Sequence, residues 1–115
     1  RDLAAVVYLE SGNQSAEGQQ AVAEVVLNRV IADNFPNTVH EVLYQDADTA
    51  VPQFSTASTV SMATPNQEQY EAITAALYGP PILPDDVVYF SRSAENDRVW
   101  GWIGDHVFCR QYIWE

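Results

Sequence analysis

Glu10 is the residue whose position departs most clearly from the pattern around it. Steps of about 100° per residue place Leu3, Val6, Val7 and Glu10 on one face of a predicted helix. Partial burial and the negative end of the helix dipole both favour the neutral carboxyl group, so both raise its pKa. The spacing therefore predicts an acid that holds a proton near neutral pH and can donate it. The alternative is a helix that ends one turn earlier and leaves Glu10 pointing into water.

The other acidic residues fit ordinary structural roles. Glu17 falls in the first turn of the second predicted helix, where its charge offsets the helix dipole. Glu24, Glu68 and Glu71 fall on helix faces that we expect to be solvated. The sequence therefore predicts chemistry by a single perturbed carboxyl group rather than by a pair.

No metal site is expected from the residue types available. A catalytic zinc ion needs about three nitrogen, oxygen or sulfur ligands, and the histidines and cysteine of the chain are His40, His106 and Cys109. His106 and Cys109 are three residues apart on a predicted strand, so they face opposite sides. Cys109 is also a weak candidate for a nucleophile, because a buried strand thiol is usually inert. We expect no cofactor.

The charge balance restricts the partners of the chain. Its 115 residues include sixteen Asp and Glu against five basic residues, all of them arginine, which gives a formal net charge of −11. The absence of lysine excludes Schiff-base and P-loop chemistry, and so acidic a chain is not expected to bind nucleic acid. Its apolar runs are too short for membrane insertion. A hydrophobic content of 47% predicts one folded domain over residues 1–115, which we expect to be a monomer.

Four predicted helices position the candidate residues. Asp2 and Ser15 are expected to cap the first two helices, and Thr38 with Glu41 has the spacing of a capping box. Thr64 is expected to cap the fourth helix. The predicted ranges are 2–11, 16–32, a short helix that ends at 44, and a helix that begins at 65 and ends near 79.

The fourth helix is expected to turn its larger apolar side chains toward the core, and these are Tyr70, Ile73, Ala76 and Leu77. Residues 87–90 and 106–109 are strand-like, and Gly101 and the Gly104-Asp105 pair are turn signals. The residues from 45 to 63 have no clean periodicity, which is unusual for an idle connection in so small a chain. We therefore predict an α+β fold, mostly helical, with a small antiparallel β region at the C-terminal end.

Several segments occur in a recognisable order from about Leu3 to Arg110. They are YLESGNQSAEGQQAVAEVVLNRV, FPNTVHEVLYQ, QFS, TPNQEQYEAITAAL, VYF and IGDHVFCR. Together they resemble the SleB-type cell-wall hydrolases, which include the spore-cortex-lytic enzymes. The resemblance implies a fold related to the lysozyme-like and resuscitation-promoting-factor domains. It also implies lytic transglycosylation of peptidoglycan glycan strands at the MurNAc–GlcNAc bond, which leaves a 1,6-anhydro-muramic end.

The resemblance also assigns roles to individual residues. The acidic residue of the family's first-helix motif falls on Glu10, which would act first as an acid and then as a base. Tyr8 is two residues from Glu10 on the helix, so we expect it to point elsewhere and to be structural. Substrate contacts are expected from polar and aromatic groups of the long loop and the strands, namely Gln53, Phe54, Ser55, Tyr89 and His106.

The chain departs from the family pattern next to Glu10. Where the family usually has an alanine and then Arg-Gly-Glu, this chain has Ser11 followed by Gly12, Asn13 and Gln14. Because Gln14 cannot ionise, a second carboxylate on this turn is absent. If that carboxylate takes part in proton transfer, we expect lower activity, and if it only lies on the surface, we expect no change.

Other functions stay open at this point. They are a muramidase that uses water, a zinc amidase that cleaves the sugar–peptide linkage, and a non-catalytic glycan-binding module of the same fold. Peptidoglycan is the expected partner, with a possible wall-binding domain upstream of Arg1, and the expected location is extracellular, at the cell wall or spore cortex. Because murein is anionic, an acidic domain gains no long-range attraction from it. Cortex rich in muramic lactam, which carries no stem-peptide charge, is therefore the hypothesised target.

Overall fold

Four helices precede a three-stranded sheet in the computed structural model, which describes residues 1–45 and 62–113. The helices are α1 (Asp2–Ser11), α2 (Ala16–Ile31), α3 (Val39–Leu43) and α4 (Gln67–Tyr78). The strands are β1 (Val87–Ser91), β2 (Val99–Ile103) and β3 (His106–Arg110). This architecture confirms the predicted α+β class with a small antiparallel sheet at the C-terminal end. Within the described ranges, no helix is long and apolar enough to cross a membrane.

Local capping explains where the second and third helices begin. The hydroxyl oxygen of Ser15 accepts a hydrogen bond from the Gly18 N–H at 3.2 Å. The hydroxyl oxygen of Thr38 accepts one from the Glu41 N–H at 3.1 Å. Each bond satisfies a backbone donor that has no partner inside its own helix. The predictions for these two caps are confirmed.

The predicted caps of α1 and α4 are wrong. Arg1 occupies the N-cap position of α1, and the Asp2 carboxylate instead accepts a hydrogen bond from the Tyr44 hydroxyl at 3.0 Å. Asn66, not Thr64, caps α4. Asp2 is a good cap by type, but its carboxylate bonds to Tyr44 at the end of α3, a contact that only the tertiary structure supplies. Asn66 forms a capping box with Gln69, whose side chain accepts from the Asn66 N–H at 2.8 Å.

The buried face of α4 differs from the predicted one. Ile73 and Ala76 pack against the core as predicted, but Tyr70 and Leu77 are 44% and 52% exposed, so the prediction is wrong for these two. The buried face instead includes Gln69, whose amide nitrogen donates to a buried glutamine oxygen of α2 at 2.8 Å. A polar side chain satisfied inside the core is invisible to hydrophobic periodicity.

The core surrounds α2, which contacts α1, α3, α4 and β1. Ala21, Val22, Val25 and Val26 of α2 are fully buried. Phe90 of β1 packs against both apolar clusters that flank α2. The helix bundle and the sheet are therefore joined by the same side chains, which fixes β1 relative to α1.

β3 is the central strand of the sheet, in the order β1-β3-β2, with both pairs antiparallel. Gly101 lies inside β2, at an irregularity in its pairing with β3, so its prediction as a turn residue is wrong. Glycine occurs at irregular positions of strands as well as in turns. Gly101 therefore did not indicate from the sequence that β2 is a strand. Gly104 has a φ of 58°, the left-handed conformation that favours glycine, and it makes the turn into β3 as predicted.

Candidate active site

Glu10 lies in the last turn of α1, beside a groove of about 440 Å³. Because α1 continues to Ser11, the alternative of a helix that ends one turn earlier is wrong. Val6 and Val7 on the same face are fully buried, and Glu10 itself is half-buried. The carboxyl group therefore lies at the boundary between the apolar core and the groove.

The groove is formed by the end of α1, the turn that follows it and one residue after β1. Its lining residues are Tyr8, Leu9, Glu10, Gly12, Asn13 and Arg92. Tyr8 is 39% exposed and lines the groove, so the expectation that it points away from Glu10 is wrong. A Cβ at Gly12 would stand 2.5 Å from the Tyr8 carbonyl oxygen and 3.2 Å from Tyr8 Cδ1, so glycine lets the chain turn closely against Tyr8 at the helix end.

Arg92 is the groove residue that the sequence reasoning did not identify. It follows β1 directly, and its side chain is exposed. A single arginine after a strand leaves no periodic pattern in the sequence. Only the tertiary structure brings it to the end of α1. The clue in the sequence was the positive charge of Arg92, because the chain has five basic residues against sixteen acidic ones.

The family departures after Glu10 have structural roles. Ser11 is fully buried, and its hydroxyl donates to the Val7 carbonyl oxygen at 2.7 Å, so its polar atom is satisfied within α1. Gln14 Nε2 donates to the Asp105 carboxylate at 3.0 Å, and Gln14 Oε1 accepts from the Asp105 N–H at 3.2 Å. The same Nε2 donates to Asn13 Oδ1 at 3.1 Å. Gln14 thus ties the turn that bears the groove residue Asn13 to the turn before β3.

His106 lies at the first position of β3 and is 5% exposed. Its ring packs edge-on against Phe90, with 5.3 Å between ring centroids, and Nδ1 has no hydrogen-bond partner among the described residues. Burial lowers the pKa of His106, the charge of Arg92 lowers it further, and Asp105 partly offsets both. The imidazole is therefore neutral near pH 7. The groove residue whose charge acts on it is Arg92.

Tyr89 lies away from the groove lining, in an aromatic cluster with Phe35 and Tyr112 at centroid distances of 6.0 and 5.6 Å. The guanidinium carbon of Arg29 stands 5.5 Å from the Tyr89 ring centroid. Arg29 Nε donates to the Val88 carbonyl oxygen at 2.7 Å. Burial raises the pKa of Tyr89 and lowers that of Arg29 to about 10. Tyr89 is therefore not among the described residues that line the groove with Glu10.

Glu24 is buried, so the prediction of a solvated face is wrong for this residue. It is 4% exposed, and its carboxylate accepts hydrogen bonds from the N–H groups of Ile82 and Leu83 at 3.0 and 2.9 Å. Gln20 Nε2 donates to it at 2.9 Å. Ile82 and Leu83 lie 58 residues or more further along the chain, so only folding brings their N–H groups to Glu24. Gln20 lies one turn away on the same helix.

Three of the predicted substrate contacts, Gln53, Phe54 and Ser55, lie outside the described residues. In residues 1–45 and 62–113, no three His, Cys, Asp or Glu side chains are grouped so that they could hold a metal ion.

The fold and the groove define a lysozyme-like α+β domain with one carboxyl group at a helix end facing a surface groove. The sequence profile of the Cell Wall Hydrolase family matches residues 13–109. The chain belongs to this family.

Similar proteins include spore cortex-lytic enzymes. Those of Bacillus cereus and Bacillus subtilis are both 35% identical to the chain, over 94% and 95% of its length. The matches cover 42% and 36% of those proteins, so the chain spans about two fifths of the length of these relatives.

Two solved structures share the fold. The catalytic domain of the germination-specific lytic transglycosylase SleB from Bacillus anthracis matches with a TM-score of 0.77 and 31% identity, over 95% of this chain and 91% of that one. The catalytic domain of the Bacillus cereus SleB protein matches with a TM-score of 0.75 and 30% identity, over 95% and 89%. The expected relationship to SleB-type hydrolases is confirmed.

Proposed function

We propose that this domain cleaves peptidoglycan glycan strands between MurNAc and GlcNAc by lytic transglycosylation. The observation that carries the proposal is the half-buried Glu10 carboxyl group at the groove, in a chain of the cell wall hydrolase family. The structurally similar Bacillus anthracis protein is itself described as a lytic transglycosylase. The role of Glu10 rests on the groove geometry, because the family profile match begins at residue 13.

In the first step, protonated Glu10 donates its proton to the glycosidic oxygen. The bond between that oxygen and muramoyl C1 breaks, and positive charge develops on the muramoyl ring as an oxocarbenium-like centre. Fully buried Val6 and Val7 lie beneath the carboxyl group on the same helix face, and α1 directs its negative end toward it. Both surroundings support a carboxyl group that carries a proton before reaction.

In the second step, the Glu10 carboxylate takes the proton of the muramoyl C6 hydroxyl. The C6 oxygen bonds to C1 and closes the 1,6-anhydro ring, so Glu10 ends the cycle protonated again. Glycosidases that use water employ a second carboxyl group. Glu10 is the one acidic side chain that lines the groove within the described part of the chain, which supports the mechanism that needs no second acid.

Substrate binding is proposed for the residues that the family motifs mark. Gln53, Phe54 and Ser55 form the QFS segment and are proposed to bind sugar hydroxyls and rings. His106 is proposed as a neutral hydrogen-bonding residue, supported by its buried Nδ1 and lowered pKa. Because Tyr89 does not line the groove, its proposed contact belongs to a neighbouring subsite.

The setting of the domain is proposed from its relatives. We propose that it acts outside the cell, at the cell wall or spore cortex, as a monomer. The greater length of the spore cortex-lytic enzymes supports an accompanying wall-binding domain.

The test is the Glu10→Gln variant, assayed on purified peptidoglycan with the products separated by chromatography and identified by mass spectrometry. The wild-type protein should release anhydro-muropeptides, and Glu10→Gln should lower the rate at least about 100-fold, since general acid–base groups contribute that much or more. Glu17→Gln is the matched control, because Glu17 is an exposed carboxylate in the first turn of α2. Circular dichroism should show equal folding of all three proteins.

Each alternative function has its own result in this assay. Reducing MurNAc ends in place of anhydro ends would identify a muramidase, and released stem peptides would identify an amidase. The absence of any product from the wild-type protein would identify a binding module. Full activity of Glu10→Gln would show that another residue supplies the proton.

A further inference from the structure

We propose that Arg92 binds a carboxylate carried by the muramoyl residue at the scissile bond, and thereby selects glycan strands whose muramic acid bears a free acid. The inference rests on the proposed function, since it places the muramoyl residue in the Glu10 groove. It assigns a specificity-determining role to a residue that no family motif marks.

The first observation is that Arg92 has no partner among residues 1–45 and 62–113, whereas the other arginines are held by the fold. Its guanidinium makes no hydrogen bond or ion pair with any described residue. The remaining arginines donate to protein oxygens, namely Arg1 to Ala63 O, Arg29 to Val88 O, Arg98 to Gln111 O and Arg110 to the Asp86 carboxylate. Arg92 is thus the cation available to a ligand in the described part of the chain.

The second observation is the position of Arg92. It lines the groove that also contains Glu10, and it immediately follows Ser91, which pairs with Val107 of the central strand. Its backbone is therefore held one residue from a hydrogen-bonded ladder. Arg92 therefore lies where the end of β1 meets the groove.

The third observation is the contrast in charge. The whole chain has a formal net charge of −11, yet the described residues that line the groove include one cation and, when Glu10 carries its proton, no anion. At physiological ionic strength the net charge is screened beyond about 8 Å, so direct contacts decide which groups the groove accepts. A guanidinium binds a carboxylate through two parallel hydrogen bonds, which a neutral lactam or amide cannot match.

Sugar chemistry makes the muramoyl residue the source of this carboxylate. Muramic acid carries a lactyl ether at C3, on the same ring as the C1 atom at the scissile bond, and GlcNAc carries no acid. The acid is either the lactyl carboxylate itself or a carboxylate of the stem peptide attached to it. Muramic lactam has neither. Net charge alone favours lactam-rich strands, whereas the contact at Arg92 favours strands that bear an acid.

The experiment measures binding without turnover, in the Glu10→Gln protein, by isothermal titration calorimetry. Three soluble strand preparations are compared: strands with stem peptides, strands stripped by an amidase to the free lactyl acid, and stripped strands whose acid has been converted to an amide. Arg92→Gln should weaken binding of the acid-bearing strands about threefold to tenfold and leave the amide strands unchanged. Arg92→Lys should recover part of the loss, because lysine keeps the charge but cannot donate the two parallel hydrogen bonds of a guanidinium.

Gln67→Glu is the matched control, since it makes the same change in net charge on an exposed residue of α4 outside the groove. It should bind all strands as the parent does. Loss confined to peptide-bearing strands assigns the contact to the stem peptide, and loss on the stripped strands assigns it to the lactyl acid.

An equal loss on acid and amide strands, or no loss at all, overturns the inference. Selective binding by a wild-type protein that releases no product would keep the role of Arg92 and overturn only the proposed catalysis. Failure of all three preparations to bind overturns the inference, and failure of the wild-type protein to release product from the same strands overturns the proposed function.

Discussion

Removal of the Glu24 carboxylate is expected to destabilise the protein strongly. Glu24 is 4% exposed, and it accepts hydrogen bonds from the backbone of Ile82 and Leu83 and from the Gln20 amide. Leu83 is itself buried, so its N–H cannot bond to water when the carboxylate is lost. The carboxylate thus connects α2 to the segment that leads into β1.

The magnitude follows from the number and burial of these donors. A hydrogen bond to a charged group contributes about 1.5–3 kcal/mol, and a buried donor without a partner costs about 1–3 kcal/mol. The bond from the Leu83 N–H is lost in full, and water replaces part of the bonds from Ile82 and Gln20. Glu24→Ala should therefore lower the free energy of unfolding by about 3–4 kcal/mol. Glu24→Gln keeps one acceptor oxygen and should cost about 1–2 kcal/mol. For a chain of this length, Glu24→Ala should lower the Tm by about 12–16 °C.

The assay is urea and thermal denaturation at pH 7, followed by far-ultraviolet circular dichroism. Glu71→Gln, which removes an exposed carboxylate from α4, is the control and should change the free energy by less than about 0.5 kcal/mol. A loss below about 1 kcal/mol for Glu24→Ala would refute the reasoning, because the buried donors would then have found other partners.

Two further predictions concern the residues around the groove. Gln14→Glu removes the donor to Asp105 and places a second carboxylate next to the Asp105 carboxylate. The free energy of unfolding should therefore fall by about 1–2 kcal/mol in urea titrations. Adding Asp105→Asn should restore most of it, and absence of this rescue would contradict the role of the contact. Burial lowers the pKa of His106 below its unfolded value of about 6.5, so its contribution to stability is complete above pH 6.5 and is lost as the pH falls through the folded pKa. Between pH 7 and 5 the wild-type protein should therefore lose more stability than His106→Gln, and equal slopes would count against this.

The candidate site was partly predictable because Glu10 is placed by its own helix. Helical geometry is set by hydrogen bonds four residues apart, so the apolar face with Glu10 at its end can be read from nearby residues. The Ser15 and Thr38 caps are local in the same sense. Tyr8 was misplaced because helical angle alone does not show how far a long ring reaches beyond a helix end.

The sequence by itself determined the α+β class, the helix ranges to within a few residues, and a single acid at the end of an apolar face. Tertiary structure alone decided which polar residues became buried and which residues met at the groove. Glu24 bonds to a segment 58 residues away, and Arg92 reaches the groove only because folding brings the end of β1 to the end of α1. Local hydrogen bonding and hydrophobic periodicity act over a few residues and leave a pattern in the sequence. Contacts between distant segments depend on the packed core, and they leave no such pattern.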